Sequence, residues 1–235
     1  MSYRFRTLCR MAKNLLAGVV FSGMTLSVAA DPYANAETLY RSGQYDHAFD
    51  ISLSAARNGE ADAQYSVAFM YLRGTGTSRN EREAFRWFMK AAQQGDAGAQ
   101  YQLGNLFRKG QGLDQDCRQA YVWYRKAATQ RYTPAQYALG HLYSTGCGVV
   151  ENPYRATFWF RQAAENGDAR AQYQMGNRCY YGLGIRRNRD EAHAWLVKAA
   201  LQNHEAALAF LASHFKTIPT KNIRRSSGVV PRPIP

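Results

Sequence analysis

Acidic residues are missing from both ends of this chain, and that absence accounts for most of its charge. The first thirty residues hold Arg4, Arg6, Arg10 and Lys13 with no Asp or Glu. The stretch from Lys216 onward adds Lys221, Arg224, Arg225 and Arg232, again with no acid. Of the formal net charge of +13, four therefore belong to one end and five to the other, leaving +4 for the body between. So modest a body charge argues against a nucleic-acid partner, whose phosphates call for a concentrated basic face. A membrane-length apolar run is also lacking. Leu15 to Phe21 is apolar, but it is too short, and too soon followed by Gly, Ser and Thr, to span comfortably. It follows a basic stretch and precedes the small residues Ser27-Val28-Ala29-Ala30 and the polar Asp31-Pro32. That order reads as a secretory signal of bacterial type over 1–30, cleaved near Ala30, with an uncleaved anchor as the alternative. The expected destination is the periplasm or the exterior.

Catalytic signatures are scarce too. No Cys-x-x-Cys, no nucleophile elbow, no His-Glu-x-x-His and no Gly-Lys-Ser/Thr occurs. His47, His141, His193, His204 and His214 show no ligand spacing, so neither a metal site nor a cofactor is expected. Cysteines number four, and Cys9 lies in the signal-like segment. Cys117, Cys147 and Cys179 remain, an odd set that cannot all pair within one chain.

What the chain has is a period. Ala-Gln-Tyr begins at Ala63, Ala99, Ala135 and Ala171, each 36 residues after the last. Trp87, Trp123, Trp159 and Trp195 keep the same interval, and so do Gly-x-Gly pairs and paired alanines. Each unit reads as two helices. In the second unit the first helix covers Ala99–Lys109, stopped by Gly110, and the other covers about Cys117–Thr129. Mid-helix Gly104, Gly140 and Gly176 cost ~1 kcal/mol each against alanine, which implies close helix approach, with the tryptophans filling the space left open. The tyrosine and tryptophan ladders recur at core-facing positions and read as packing.

The pattern from Ala135 to Asp168, Ala-x-x-x-Leu-Gly-x-Leu-Tyr-x-x-Gly-x-Gly and then Ala-x-x-Trp-Phe-x-x-Ala-Ala-x-x-Gly-Asp, resembles the Sel1-like repeat, a relative of the tetratricopeptide repeat. The expected architecture is all-α, a right-handed α-solenoid of antiparallel helix hairpins with a 36-residue period. It divides into a tetratricopeptide-like cap hairpin at 31–62, units at 63–98, 99–134, 135–170 and 171–206, and a capping helix at 207–216. A basic, proline-rich, disordered tail follows at 217–235, which could make weak contact with an anionic envelope surface. Stacking of this kind brings the end of unit three's first helix near the start of unit two's second helix. Cys147 then lies near Cys117, where a disulfide is possible.

Function should reside where the repeat does not dictate the residue. Counting the first residue of a unit as zero, offsets 3, 6 and 10 vary and share the face expected to be concave. They are Ser66, Phe69 and Arg73; Gln102, Asn105 and Lys109; Ala138, His141 and Thr145; and Gln174, Asn177 and Tyr181. Amides, aromatics and a few cations without a carboxylate suit a peptide or loop of a protein partner. Phe69 and Tyr181 are expected as exposed anchors. In unit four, Arg178 replaces Met70, Leu106 and Leu142, and Cys179 replaces Tyr71, Phe107 and Tyr143. Loose packing of that hairpin near the end of the solenoid is expected, with a modified site as the alternative. The resemblance implies a non-enzymatic interaction scaffold or adaptor of the bacterial envelope. Its alternatives are a protein that binds or hydrolyses cell-wall fragments or β-lactams, and a secreted effector that meets host proteins.

Overall fold

A computed structural model describes residues 32–216; the signal and tail readings lie outside the described residues. Among the described residues there are eleven helices and no strand. In chain order they are α1 (Pro32–Arg41), α2 (Tyr45–Arg57), α3 (Ala61–Arg73), α4 (Glu81–Gln93), α5 (Ala97–Lys109) and α6 (Cys117–Thr129). They continue with α7 (Thr133–Thr145), α8 (Pro153–Glu165), α9 (Ala169–Tyr181), α10 (Arg189–Ala200) and α11 (Glu205–His214). From α2 onward, each helix packs mainly against its neighbours in the chain, the hallmark of a solenoid.

First helices start two residues earlier than the Ala-Gln-Tyr triplets suggest, because the cap precedes the first buried residue. Asp96 and Asp168 accept the backbone N–H groups of Ala99 and Ala171 at 2.6 and 3.0 Å. Second helices carry the same device at Asn80, Asp116, Asn152 and Asn188. The final capping helix likewise runs over Glu205–His214 instead of 207–216. Each of α3, α5, α7 and α9 ends on a left-handed glycine, Gly146 at φ 71° being typical.

The second glycine of each loop joins neighbouring units. A Cβ on Gly148 would lie 2.3 Å from the Cys117 carbonyl group, and one on Gly184 would lie 2.2 Å from that of Pro153. Gly76 and Gly112 approach Tyr45 and Glu81 in the same way. Every loop thus rests on the first turn of the preceding unit's second helix.

Inside the hairpins of units two to four the mid-helix glycine receives a ring or branched side chain, but not the tryptophan. A Cβ on Gly104 would be 2.5 Å from the Tyr124 ring, and those on Gly140 and Gly176 would meet Phe160 and Leu196. The residue after each tryptophan fills the gap, since it is that residue which points directly at the partner helix. The tryptophans lie further out. Trp87, Trp123 and Trp195 each lie beneath a lysine three residues on, with Lys90, Lys126 and Lys198 at 4.0–4.2 Å from the ring centres.

The glutamine of the repeated triplet is buried and joins consecutive hairpins. Gln100 donates to the Ala92 carbonyl at 3.2 Å and accepts from Gln130 at 2.9 Å, and Gln130 in turn donates to the Gly95 carbonyl at 3.0 Å. Gln64–Gln94, Gln136–Asn166 and Gln172–Gln202 repeat the amide pair at 2.8–2.9 Å. Satisfied amides of this kind fix the register between units, because any slip would orphan a buried polar group.

Unit four corrects the expectation of loose packing. Three successive junctions carry edge-to-face aromatic pairs: Phe49–Tyr71, Phe85–Phe107 and Tyr121–Tyr143. At the next junction those positions hold Thr157 and Cys179, and the Arg178 guanidinium supplies the packing. It is 6% exposed, lies 5.0 Å from the Phe160 ring centre, and donates to the Pro153 and Leu183 carbonyls and to the Thr157 hydroxyl at 3.1 Å. It also donates to the Ser144 hydroxyl. The junction is polar and ordered.

Candidate functional site

The variable positions of the first helices divide into two groups in the structure. Arg73, Lys109, His141, Thr145 and Tyr181 are exposed, whereas Ser66, Phe69, Gln102, Asn105, Gln174 and Asn177 are half-buried. Phe69 is therefore not the exposed anchor that its position suggested. It stacks on Tyr65 at 6.4 Å, with the Arg73 guanidinium 5.1 Å from its ring centre, because the helical spacing of four brings both neighbours against it. Asn105 is also occupied. Its Oδ1 accepts from the Tyr124 hydroxyl at 2.7 Å and its amide donates to Gln102 at 3.2 Å. Burial pushes the Tyr124 phenol up to about 12, against the pull of Arg108, so it stays a donor.

Asn177 is the counterpart of Asn105, but Leu196 stands where Tyr124 would donate, and the buried Asn177 Oδ1 has no partner among the described residues. Ser66 shares a hydrogen bond with Tyr33 at 2.5 Å. His141 keeps an exposed surface, yet desolvation first and the Arg108 charge second lower its pKa. Tyr181 is 56% exposed and sets its edge against Phe210. The face that can meet a partner is thus a line of exposed residues on α3, α5, α7 and α9, backed by half-buried amides.

Among the described residues one serine hydroxyl has a histidine nitrogen beside it: Ser213 lies 2.6 Å from Nδ1 of the adjacent His214, both exposed near the end of α11. Ser213 to Lys216 has the Ser-x-x-Lys spacing, but Lys216 lies beyond the end of α11 at φ 52°, so no helical turn carries it over Ser213. The Ser213 hydroxyl lies within hydrogen-bonding distance of the Ala209 and Phe210 carbonyls. Cys179 is a buried free thiol, pushed up to about 11 by burial and then by the Glu191 charge, the reverse of activation. Among the described residues no three His, Cys, Asp or Glu side chains gather to hold a metal. No helix among them is long and apolar enough to cross a membrane. Cys117 and Cys147 form a disulfide with Cα atoms 5.5 Å apart, joining the start of α6 to the loop of the next unit.

Sequence reasoning passed over the second helices, which also carry exposed apolar residues. Val122, Tyr154 and Phe158 on α6 and α8 are 42%, 73% and 55% exposed. The signal was present in the one tryptophan, Trp159, whose third residue on is Gln162 and not lysine.

Comparison with known proteins agrees with this architecture. The chain is 32% identical to a Sel1 repeat protein of Oxalobacter formigenes, with a TM-score of 0.75 over 82% of this chain and 78% of that one. It is 28% identical to c5321, a protective antigen present in uropathogenic Escherichia coli strains, with a TM-score of 0.73. That match covers 78% of this chain but 41% of the antigen's chain. No curated protein matches the sequence. The Sel1 repeat model matches four consecutive times, at residues 61–96, 97–132, 133–168 and 169–204, each starting where a first helix begins. A 36-residue period, a loop glycine seated on the preceding hairpin and four matches in tandem have one explanation: the chain belongs to the Sel1 repeat family.

Proposed function

We propose that this chain is a scaffold that holds a segment of a partner protein against the exposed face of its first helices and performs no chemistry itself. Sel1 repeat proteins generally mediate protein–protein interaction. The observation that supports the role here is the division of labour among positions. Every residue that recurs in all four units is spent on packing, capping or register, while Arg73, Lys109, His141 and Tyr181 differ from unit to unit and reach solvent. A surface of that kind encodes a specific partner without altering the fold.

The proposed place of work is the periplasm or the exterior, as an envelope adaptor. The leader-like first thirty residues support it, and so does the disulfide, which persists in oxidising compartments.

The test is crosslinking capture from an envelope fraction with residues 31–235, beside an Arg73→Ala, His141→Ala, Tyr181→Ala variant. These side chains are exposed, so circular dichroism of the variant should match that of the parent. A partner retained by the parent and lost by the variant is the expected result. Equal capture by both would remove the first-helix face from the proposal.

A further inference from the structure

The lysine lids over the tryptophans provide an internal control. Where the lid exists, Trp87, Trp123 and Trp195 are each 8% exposed. Unit three has Gln162 at the lid position, and Trp159 is only half-buried. Its ring meets that of Phe158 edge-on at 5.1 Å, and Phe158 is itself exposed. The unit that lost its lid has therefore gained an aromatic wall open to solvent.

That wall bounds a depression of about 390 Å³ between α6 and α8, lined by Tyr121, Tyr143, Phe158, Trp159, Arg125 and Arg155. A second depression of about 320 Å³ shares Tyr121 and Arg125 and extends along α6 to Lys126 and Thr129. No carboxylate lines either one. Among the described residues neither Arg125 nor Arg155 has an ion pair, whereas Arg79 and Arg86 on the preceding unit pair with Glu81 and Glu83 at 2.6 Å. The Tyr121 and Tyr143 hydroxyls are 3.1 Å apart, and Arg155 donates to Tyr143 at 3.4 Å, so the floor is already organised. The disulfide joins units two and three, whose second helices form the two walls, which lowers the ordering cost of binding between them.

We propose that this cleft is a second docking site, for an acidic segment of a partner protein that inserts one aromatic side chain. The aromatic anchor would lie against the edge-on pair of Phe158 and Trp159, where further ring contact is favoured edge-on or offset. Its flanking carboxylates would meet Arg125 and Arg155, whose planar forks bind carboxylate bidentately. Charge complementarity separates this occupant from the chain's own tail. Lys221, Arg224, Arg225 and Arg232 would set cations against cations there. The site lies on the second helices and does not depend on the first-helix proposal.

The test uses residues 31–235 and a fluorescein-labelled peptide, Glu-Glu-Trp-Glu-Glu, read by anisotropy. Its two controls are the same peptide with lysine for every glutamate and with alanine for tryptophan. The acidic tryptophan peptide should bind at least about tenfold more tightly than either control, and its affinity should fall as salt rises. Gln162→Lys restores the lid at a half-buried helix position and should weaken binding about fivefold, although its positive charge alone would favour the acidic peptide, with an unchanged circular dichroism spectrum. Arg125→Glu with Arg155→Glu should abolish binding while leaving capture through the first-helix face intact. Equal binding of all three peptides, or indifference to Gln162→Lys, would overturn the proposal. A concentration-dependent dimer that disappears in Gln162→Lys, without peptide binding, would also overturn it and assign the cleft to a second copy.

Discussion

Arg178 shows how far one residue's meaning depends on what meets it in space. In the repeat register it occupies a leucine position, and a charge there reads as a fault. The compensating residues are Thr157, Ser144 and the carbonyls of Pro153 and Leu183, up to 34 positions away in the chain. Thr157 stands where Phe85 and Tyr121 stand in the earlier units, so a small hydroxyl makes room for the guanidinium. Burial lowers the Arg178 pKa, yet among the described residues no carboxylate pairs with it and the Nε–H has no acceptor. Its stabilising effect therefore comes from donating to several oxygens at once. Arg178→Ala should cost about 3 kcal/mol, from the lost charged hydrogen bonds and the cavity left behind. Arg178→Lys should recover less than half of that, because an ammonium cannot span the same acceptors. Urea unfolding of the full chain measures both, and hydrogen exchange should place the loss in α9 and α10. Full retention of stability in Arg178→Ala would show that the junction is held by the neighbouring apolar contacts alone.

At the scale of the helix hairpin, the two loop glycines look alike in sequence and do different work. Gly146 adopts φ 71° to end α7, and a Cβ there would have its nearest neighbours at 3.7 Å. Gly146→Ala should cost only the left-handed backbone penalty, about 1–2 kcal/mol. Gly148 also has positive φ, 73°, but its Cβ would lie 2.3 Å from the Cys117 carbonyl, which as backbone cannot rotate aside. Gly148→Ala should therefore cost clearly more, about 3 kcal/mol or above, by forcing units two and three apart. Thermal melts of the pair decide the matter, and equal losses would mean that the loop can lift off α6 freely. The helices themselves could be read from periodicity, because apolar spacing and terminal glycines are local signals. Which side chain fills the space over Gly104 could not. Trp123 and Tyr124 are adjacent and both large, and only the packing angle of the two helices selects Tyr124. The bridging role of Gln100 was hidden for the same reason, since its partners are Ala92 in α4 and Gln130 just past the end of α6.

For the whole molecule, the 36-residue period made the architecture legible before any coordinate, because a solenoid repeats one local interaction set. The candidate site was less legible. Offset 10 is exposed in every unit, but offsets 3 and 6 are half-buried except at His141, and Phe69 and Asn105 are occupied by Tyr65, Arg73 and Tyr124. The cleft on α6 and α8 arises from departures in two different units, Val122 in one and Phe158 with Gln162 in the other, which a single-unit reading treats as surface noise. What most distinguishes this solenoid as a body is that its elasticity is not uniform. Nearest-neighbour packing alone lets units fray from the ends, but the Cys117–Cys147 bond closes a loop of sequence separation 30 across the middle junction. By the chain-entropy account such a loop adds about 3–4 kcal/mol. Thiol titration of residues 31–235 in denaturant should give one thiol without reductant, that of Cys179, and three with it. Reduction should lower the urea midpoint, and hydrogen exchange should quicken first at α6 and the α7–α8 loop instead of at the ends. The aromatic cleft should loosen with them, so binding of the acidic tryptophan peptide should weaken on reduction while the first-helix face is spared. Three free thiols in the untreated protein would remove the staple, and with it the reason for the cleft to be pre-set.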